Sequence, residues 1–478
     1  MFEELFNFID GPARWLFTTI ALVALIFLSA RRKTSRSKLF ELTTKTSNII
    51  IDWEKKPGGQ IPVELWMKSP EVKAVLAAIT INGKEARFIG GCVRDAILKR
   101  PVNDIDIATQ ETPDKVIALL DGAGIKAIPI GIEHGTVMAV VNHQSFEITT
   151  LRKDVKTDGR HAVVKFTENW KQDASRRDFT FNTLSATPDG MVFDYFNGIQ
   201  DLSNRVIRFV GHAPERIEED YLRILRYFRF IATIGMRVES KTEFQACIDQ
   251  AYKLKQLSGE RIRAELFKIL NSDMPLDILA LMYEQGVLQI IVPHVIAPEK
   301  LRQLNWLETS AMKFESISRD PLRRLAALVQ TDKTGVTDIT DALRLSKIEQ
   351  KRLSKMLVPS FGVKWDMNEN ELHAILYVEG AEAVIDLVLL KWADMLVSSP
   401  TGLTKEKNGW LHIIRMAIRQ QGNKAIFPLK GQDVLFLDVA PGPEVSRLLE
   451  RVKFWWLEGG CKADRGACLK KLKSFQEI

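Results

Sequence analysis

Thiols and imidazoles are scarce in this chain, which has four cysteines and seven histidines among 478 residues. Cys92, Cys247, Cys461 and Cys468 form no Cys-x-x-Cys pair, and no histidines cluster beside them. That excludes a disulfide framework and a zinc site of Cys and His ligands, and it fits a reducing cytoplasm. No internal repeat is visible, which excludes solenoids and propellers. The 46% hydrophobic content is ordinary for a globular protein and excludes a disordered one. Long apolar runs are represented by Trp15 to Ala30, sixteen residues without a charge, followed by Arg31, Arg32, Lys33, Arg36 and Lys38. As a membrane anchor this run is short, because about 20 apolar residues cross the hydrocarbon core. With Glu3, Glu4 and Asp10 ahead of it, the positive-inside rule leaves the bulk of the chain in the cytoplasm. A cleaved secretory peptide is disfavoured, since its basic residues should precede the apolar run. The alternative is an extension from an upstream start codon, and composition leaves both readings open.

What is present is basic charge and length. A net charge of +7 and a pI near 9.0 point to a polyanionic partner. The length accommodates about three domains. Strand-like patterns occupy the first half of the chain. Beyond Pro214 the periodicity is helical, so the expectation is an α/β unit ending near Val210 and an all-helical remainder.

Residues 88 to 106 carry the chemistry. The apolar strand Ala86 to Ile89 runs into Gly90-Gly91, where backbone N–H groups can approach a triphosphate, and the helix that follows carries Arg94. Asp104 and Asp106 then stand at i and i+2 in a second apolar strand, read as Asp104 to Ala108, so both carboxylates face one side. Such a pair suits two Mg2+ ions about 4 Å apart, which activate an attacking 3′-hydroxyl and stabilise a leaving pyrophosphate.

Further along, Thr136 to Asn142 and Ser145 to Thr150 read as strands joined by a turn at His143-Gln144. Glu147 is either a third acidic group beside the pair or an exposed strand residue. The segment Leu151 to Val163 reads as a charged loop, either over the site or on the surface. Ser175 is read as opening a helix in which Arg177 binds triphosphate, with Phe179, Phe181 and Leu184 in the core. Arg216 to Phe230 reads as one helix with Asp220, Arg223, Arg226 and Arg229 along one side. Adenine and cytosine both present an amino donor beside a ring-nitrogen acceptor, which a carboxylate plus a guanidinium complement, whereas guanine and uracil present a carbonyl beside N–H. Asp220 and Arg223 therefore suit a reader of A and C, with Arg226 and Arg229 on phosphates. A solvated salt-bridge face is the plainer reading of the same charges.

GGCVRD at 90–95, DID at 104–106, RRDFTFN at 176–182, FDYFNGIQDL at 193–202 and EEDYLRILRYFRF at 218–230 together resemble the class II tRNA nucleotidyltransferases, the CCA-adding enzymes, in the family that includes bacterial poly(A) polymerases. The resemblance runs from about Ile61 to the C-terminus. It implies a nucleotidyltransferase head of the DNA polymerase β type at 61–210, a helical neck at 211–285 and a helical body and tail at 286–478 that bind tRNA, with residues 1–55 outside it. It further implies that Gly91 and Arg94 contact triphosphate, that Asp104 and Asp106 hold Mg2+, and that Arg177, Asp220, Arg223, Arg226 and Arg229 bind nucleotide. The expected activity is untemplated addition of CCA to tRNA from CTP and ATP, with Asp104, Asp106 and Glu147 as the catalytic set. LKGQD at 429–433 and PGPEV at 441–445 resemble CCA-adding tails. A poly(A) polymerase, a non-catalytic RNA-binding protein and a membrane-tethered RNA chaperone are the alternatives.

Overall fold

The computed structural model describes residues 59–476 apart from 159–160, 239–240, 274, 312–316, 399–403 and 422–424. The candidate anchor at 15–30 lies outside the described residues. Among those described, no helix is long and apolar enough to cross a membrane. An α/β unit is followed along the chain by a mostly helical remainder. The contacts divide the chain into two units. One takes the residues up to Lys153 with Val164–Arg177 and Phe181–Ile199, and the other takes Asp154–Val163, Asp178–Thr180 and everything from Gln200.

Up to Phe193, elements are numbered in chain order: β1 (Gly59–Gln60), α1 (Pro70–Ile79), β2 (Ala86–Ile89), α2 (Gly91–Ile97), β3 (Asp106–Thr109), α3 (Pro113–Gly122), β4 (Lys126–Gly131), β5 (Thr136–Val141), β6 (Gln144–Thr150), β7 (Arg152–Asp158), β8 (His161–Phe166), α4 (Trp170–Ser175), β9 (Ser185–Ala186) and β10 (Met191–Phe193). Eight strands form one mixed sheet in the order β1-β10-β9-β2-β3-β6-β5-β4. Within this sheet β3 and β6 pair in parallel, with α3, β4 and β5 between them in sequence, as a parallel pair requires a crossover. Phe88, Ile107, Phe146 and Ile148 are buried on one face. Successive residues alternate faces, so Arg87, Ile89, Asp106, Ala108 and Glu147 share the opposite one.

Three sequence expectations are corrected here. The strand begins at Asp106, so Asp104 precedes it rather than lying two residues along it. The β5–β6 turn is centred on Asn142-His143, both with positive φ, the conformation a two-residue hairpin needs to follow strand twist. The segment read as a loop contains β7 and β8, which pair as a two-stranded sheet. Within residues 152–157, Val155 and Thr157 are β-branched, a strand signal that the surrounding charges hid.

After the helix Gly198–Asn204, the second unit continues with α5 (Ala213–Glu219), α6 (Leu222–Ile234), α7 (Lys241–Asp249) and α8 (Gly259–Leu270). Ile224, Leu225, Phe228 and Ile231 of α6 are buried. Its aromatic side packs Tyr227 on Phe209 with ring centroids 5.9 Å apart and Phe230 edge-on to Phe179 at 5.4 Å. Gly235 ends α6 at φ +68, where an added Cβ would also come within 2.9 Å of Arg205. Phe179, Phe181 and Leu184 are all buried, as the apolar spacing predicts.

Glu243 on α7 accepts the Phe209 amide at 3.2 Å, and burial pushes its carboxyl from the ordinary 4.5 to about 7. A folded-state value above the unfolded one means that the native protein holds the extra proton, so stability falls as pH rises through this window. Glu243→Gln is expected to leave the melting temperature near that of the wild type at pH 5 and to raise it at pH 8, as thermal unfolding at the two pH values will show.

Candidate active site

The head site is built around Gly90-Gly91. Gly90 has φ +67 and ψ −119, a conformation reserved for glycine. A Cβ there would lie 3.3 Å from Arg177 Nη1, and one on Gly91 would lie 3.7 Å from Arg94 Nη2. Both guanidiniums therefore stand at the glycine turn. Asn182 links them: its side-chain Oδ1 accepts from Arg94 Nη1 at 2.9 Å, and its carbonyl accepts from Arg177 Nη1 at 3.5 Å. Arg94 also makes a two-pronged pair with Asp95 at 2.9 and 2.8 Å.

The acidic groups meet at the start of β3. Asp106 is in register with Glu147 of β6, and parallel register puts the two side chains on one face. Burial, followed by the negative charge of Glu147, pushes the Asp106 carboxyl from 3.8 to about 6; Asp104 adds to the rise, while Arg177 and Arg94 oppose it. Four sequence-predicted residues, Asp104, Glu147, Arg94 and Arg177, thus act electrostatically on a fifth, Asp106. Asp104 and Glu147 are exposed and Asp106 half-buried. Cys92, whose thiol lies 3.7 Å from the Asp106 carbonyl, is pushed up to about 12 by burial and stays neutral.

Arg177 does not lie inside a helix opened by Ser175. That serine ends α4, whose N-terminus is capped by Asn169 accepting from the Gln172 amide at 3.1 Å. The cap six residues earlier decides where the helix lies.

In the second unit, the single helix expected over Arg216 to Phe230 is two. Asp220 is extended, with φ −158 and ψ 105, between α5 and α6. Its Oδ1 accepts the Leu222 amide at 3.1 Å and its carbonyl accepts the Arg223 amide at 3.0 Å. A short carboxylate competing with the helical ladder breaks it and starts the next helix. Asp220 is therefore off the α6 stripe that carries the arginines. Its Oδ2 accepts from Arg261 of α8 at 2.7 Å. Arg223 donates to Glu219 and to the Arg216 carbonyl, both at 2.6 Å. Arg226 pairs with Asp178 at 2.6 Å, and Arg229 with Glu265 at 2.5 Å while lying over the Phe230 ring.

Comparison with known proteins bears on both units. The model of the Poly A polymerase head domain matches residues 86–208, and that of the probable RNA and SrmB-binding site of polymerase A matches 235–297. The CCA tRNA nucleotidyltransferase 1, mitochondrial, of Mus musculus is 34% identical over 416 residues, covering 84% of this chain and 89% of that protein. The chain belongs to the CCA tRNA nucleotidyltransferase family. A CCA-adding enzyme of Bacillus mycoides is 28% identical over 386 residues, covering 80% of this chain and 92% of its own length. The fold matches the crystal structure of the Bacillus stearothermophilus CCA-adding enzyme in complex with CTP, with a TM-score of 0.62 and 23% identity over 86% of this chain and 98% of that one.

For a CCA tRNA nucleotidyltransferase head, the donor set fits a hard divalent cation. It offers carboxylate oxygens only, and their mutual repulsion at Asp106 is what a cation relieves. Among the described residues, no group of three His, Cys, Asp or Glu stands ready to hold a metal alone. Sequence reasoning missed Asp95, Asp173, Asn182 and Arg261. Asp173 stands three and four residues before Arg176 and Arg177, the spacing of helical ion pairs, and could have been found on that basis.

Proposed function

We propose that this enzyme completes the 3′ end of tRNA by adding C, C and A from CTP and ATP without a nucleic-acid template. The observation that carries the reading is the register of Asp106 with Glu147 beside Arg94, Arg177 and the glycine turn. The tRNA 3′-hydroxyl attacks the α-phosphorus in line; the new O–P bond forms as the bond to the β-phosphate breaks, and pyrophosphate leaves. Asp104 and Asp106 would hold Mg2+, which would supply Lewis acidity that eases loss of the hydroxyl proton to solvent and would offset developing charge on the pyrophosphate. Glu147 keeps the local potential negative beside Asp106. Gly90 and Gly91 let the backbone approach the triphosphate, and Arg94 and Arg177 offset its charge.

Base choice falls to Asp220 and Arg223. The Asp220 carboxylate accepts from the amino group that A and C share, and Arg223 donates to the ring nitrogen. Guanine and uracil would set a carbonyl against the carboxylate and an N–H against the guanidinium, a repulsive pattern that rejects them. Arg226 and Arg229 serve phosphates in this reading, and their carboxylate partners Asp178 and Glu265 orient them.

The test supplies the full chain with tRNA lacking CCA and with each nucleotide singly or together. Two C residues, then one A, then arrest is the expected product; A-only tails would reassign the chain as a poly(A) polymerase. Base reading has its own test. Asp220→Ala is expected to weaken discrimination against U and G by about 1–3 kcal/mol, the value of a good bidentate base contact, measured by incorporation of all four nucleotides. If Asp220→Ala and Arg223→Ala slow every nucleotide equally, the pair is structural and base choice lies elsewhere.

A further inference from the structure

Arg177 is held from behind by one buried carboxylate. Asp173 of α4 is 4% exposed and accepts from Arg177 Nη2 at 3.1 Å and Nε at 3.4 Å, and from Arg176 Nε at 2.9 Å. It also accepts the backbone N–H of Arg152 at 3.2 Å, where β7 begins. Burial works to raise its pKa, yet the Arg177 and Arg176 charges and the Arg152 amide hold it below the usual carboxylate range. The group is therefore a fixed anion at neutral pH.

The helix that carries it is immobilised from the other end. Trp170, the first residue of α4, packs on Ile89, Ala108 and Leu151, on the sheet face that bears Asp106. The buried Arg87 guanidinium lies 4.1 Å from the Trp170 ring and 3.5 Å from the Phe193 ring, while Glu85 takes its Nε and Nη2 at 2.7 and 2.9 Å. A cation between two rings, with its charge paired, is a stiff joint. From that joint Asp173 fixes a guanidinium whose Nη1 reaches Gly90.

We propose that Asp173 is a positioning residue for nucleotide binding, setting the Arg177 guanidinium at the glycine turn and anchoring the start of β7 through the same carboxylate. The inference rests on Arg177 as a triphosphate ligand in the reading above. A pre-oriented donor loses no rotamer freedom when the triphosphate arrives, so the effect falls on binding. CTP and ATP share the triphosphate, so it falls on both alike. Asp220 variants differ in this respect, because they alter the choice between bases.

The experiment measures KM and kcat for C addition to tRNA lacking CCA and for A addition to tRNA ending in CC, with the full-length wild type, Asp173→Asn, Asp173→Glu, Arg177→Ala and the double variant. Binding of CTP and ATP is followed in parallel by equilibrium dialysis without tRNA. Asp173→Asn is expected to raise both KM values and both dissociation constants by the same factor, about tenfold, the usual order when the outer partner of a binding group is removed. kcat should change less, and Asp173→Glu should recover part of the loss. In the double variant, Asp173→Asn should add nothing to the loss already caused by Arg177→Ala. A lowered melting temperature with unchanged nucleotide affinity, unequal effects on CTP and ATP, or full additivity with Arg177→Ala would each overturn the assignment. A wild type that adds neither C nor A would refute the functional reading instead, while nucleotide dialysis would still test Asp173.

Discussion

Asp106→Ala is expected to abolish the addition of C and of A alike, lowering kcat by at least about a thousandfold, or on the order of 4 kcal/mol of barrier. The position of this carboxylate, more than its type, sets the size of the effect. Asp106 opens β3 with Glu147 in register and Asp104 near enough to raise its pKa. A site of mutually repelling carboxylates is costly to the fold and favourable only when a cation occupies it. Removing Asp106 should therefore leave the melting temperature unchanged or raise it slightly, while activity disappears. Asp104→Ala should behave similarly in activity. Quench-flow incorporation with each nucleotide, melting curves and filter binding of tRNA separate these effects. Substantial Mg2+-dependent turnover by both variants would remove the pair from the catalytic role, and loss of tRNA binding in parallel would point to a folding defect.

The second large effect concerns stability in the helical unit. Arg324 is completely buried and donates to Glu308 at 2.7 Å and to Asn305 at 2.9 Å. Arg323 joins the same Glu308 at 2.7 Å to Asp386 at 2.8 Å, and Arg352 continues from Asp386 to Asp320, each at 2.8 Å. Burial pushes the Glu308 carboxyl up, while Arg323 and Arg324 pull it down. Deleting one member of such a network strands the opposite charge away from water, which costs about 3–5 kcal/mol. Glu308→Ala is expected to lower the unfolding free energy of this unit by that amount in urea titration. Replacing the network with apolar residues of similar volume should cost far less, because it also removes the charges that need partners. If Glu308→Ala unfolds like the wild type, Arg323 and Arg324 are sufficiently solvated without it.

The head was legible wherever one strand or one turn set the chemistry. Ala86–Ile89 and the glycine turn follow from local pattern, and the helical character beyond Pro214 follows from periodicity. Adjacency across strands was less accessible. Glu147 was left open because nothing in its own segment says that β6 lies parallel to β3, a fact fixed by the crossover rather than by Phe146-Glu147-Ile148. Asp220 misled because a carboxylate continuing a three-residue spacing looks helical, although its own side chain can end the helix by taking the Leu222 amide. Asp173, a buried partner, gives no sequence signal apart from its spacing three and four residues before Arg176 and Arg177. β7 was hidden by its charges.

The sheet order also bears on how the chain is made. β2 has β3 on one side and β9 on the other, yet β9 leaves the ribosome after nearly the whole head. At roughly 5–20 residues per second, on the order of ten seconds separate the two strands during synthesis. For that interval Ala86–Ile89, wholly buried in the finished protein, presents an unpaired apolar edge on which another nascent chain can add a strand. A chaperone that binds short apolar segments would find its target here, beside the glycine turn, and a slowed ribosome downstream of residue 150 would lengthen the exposure.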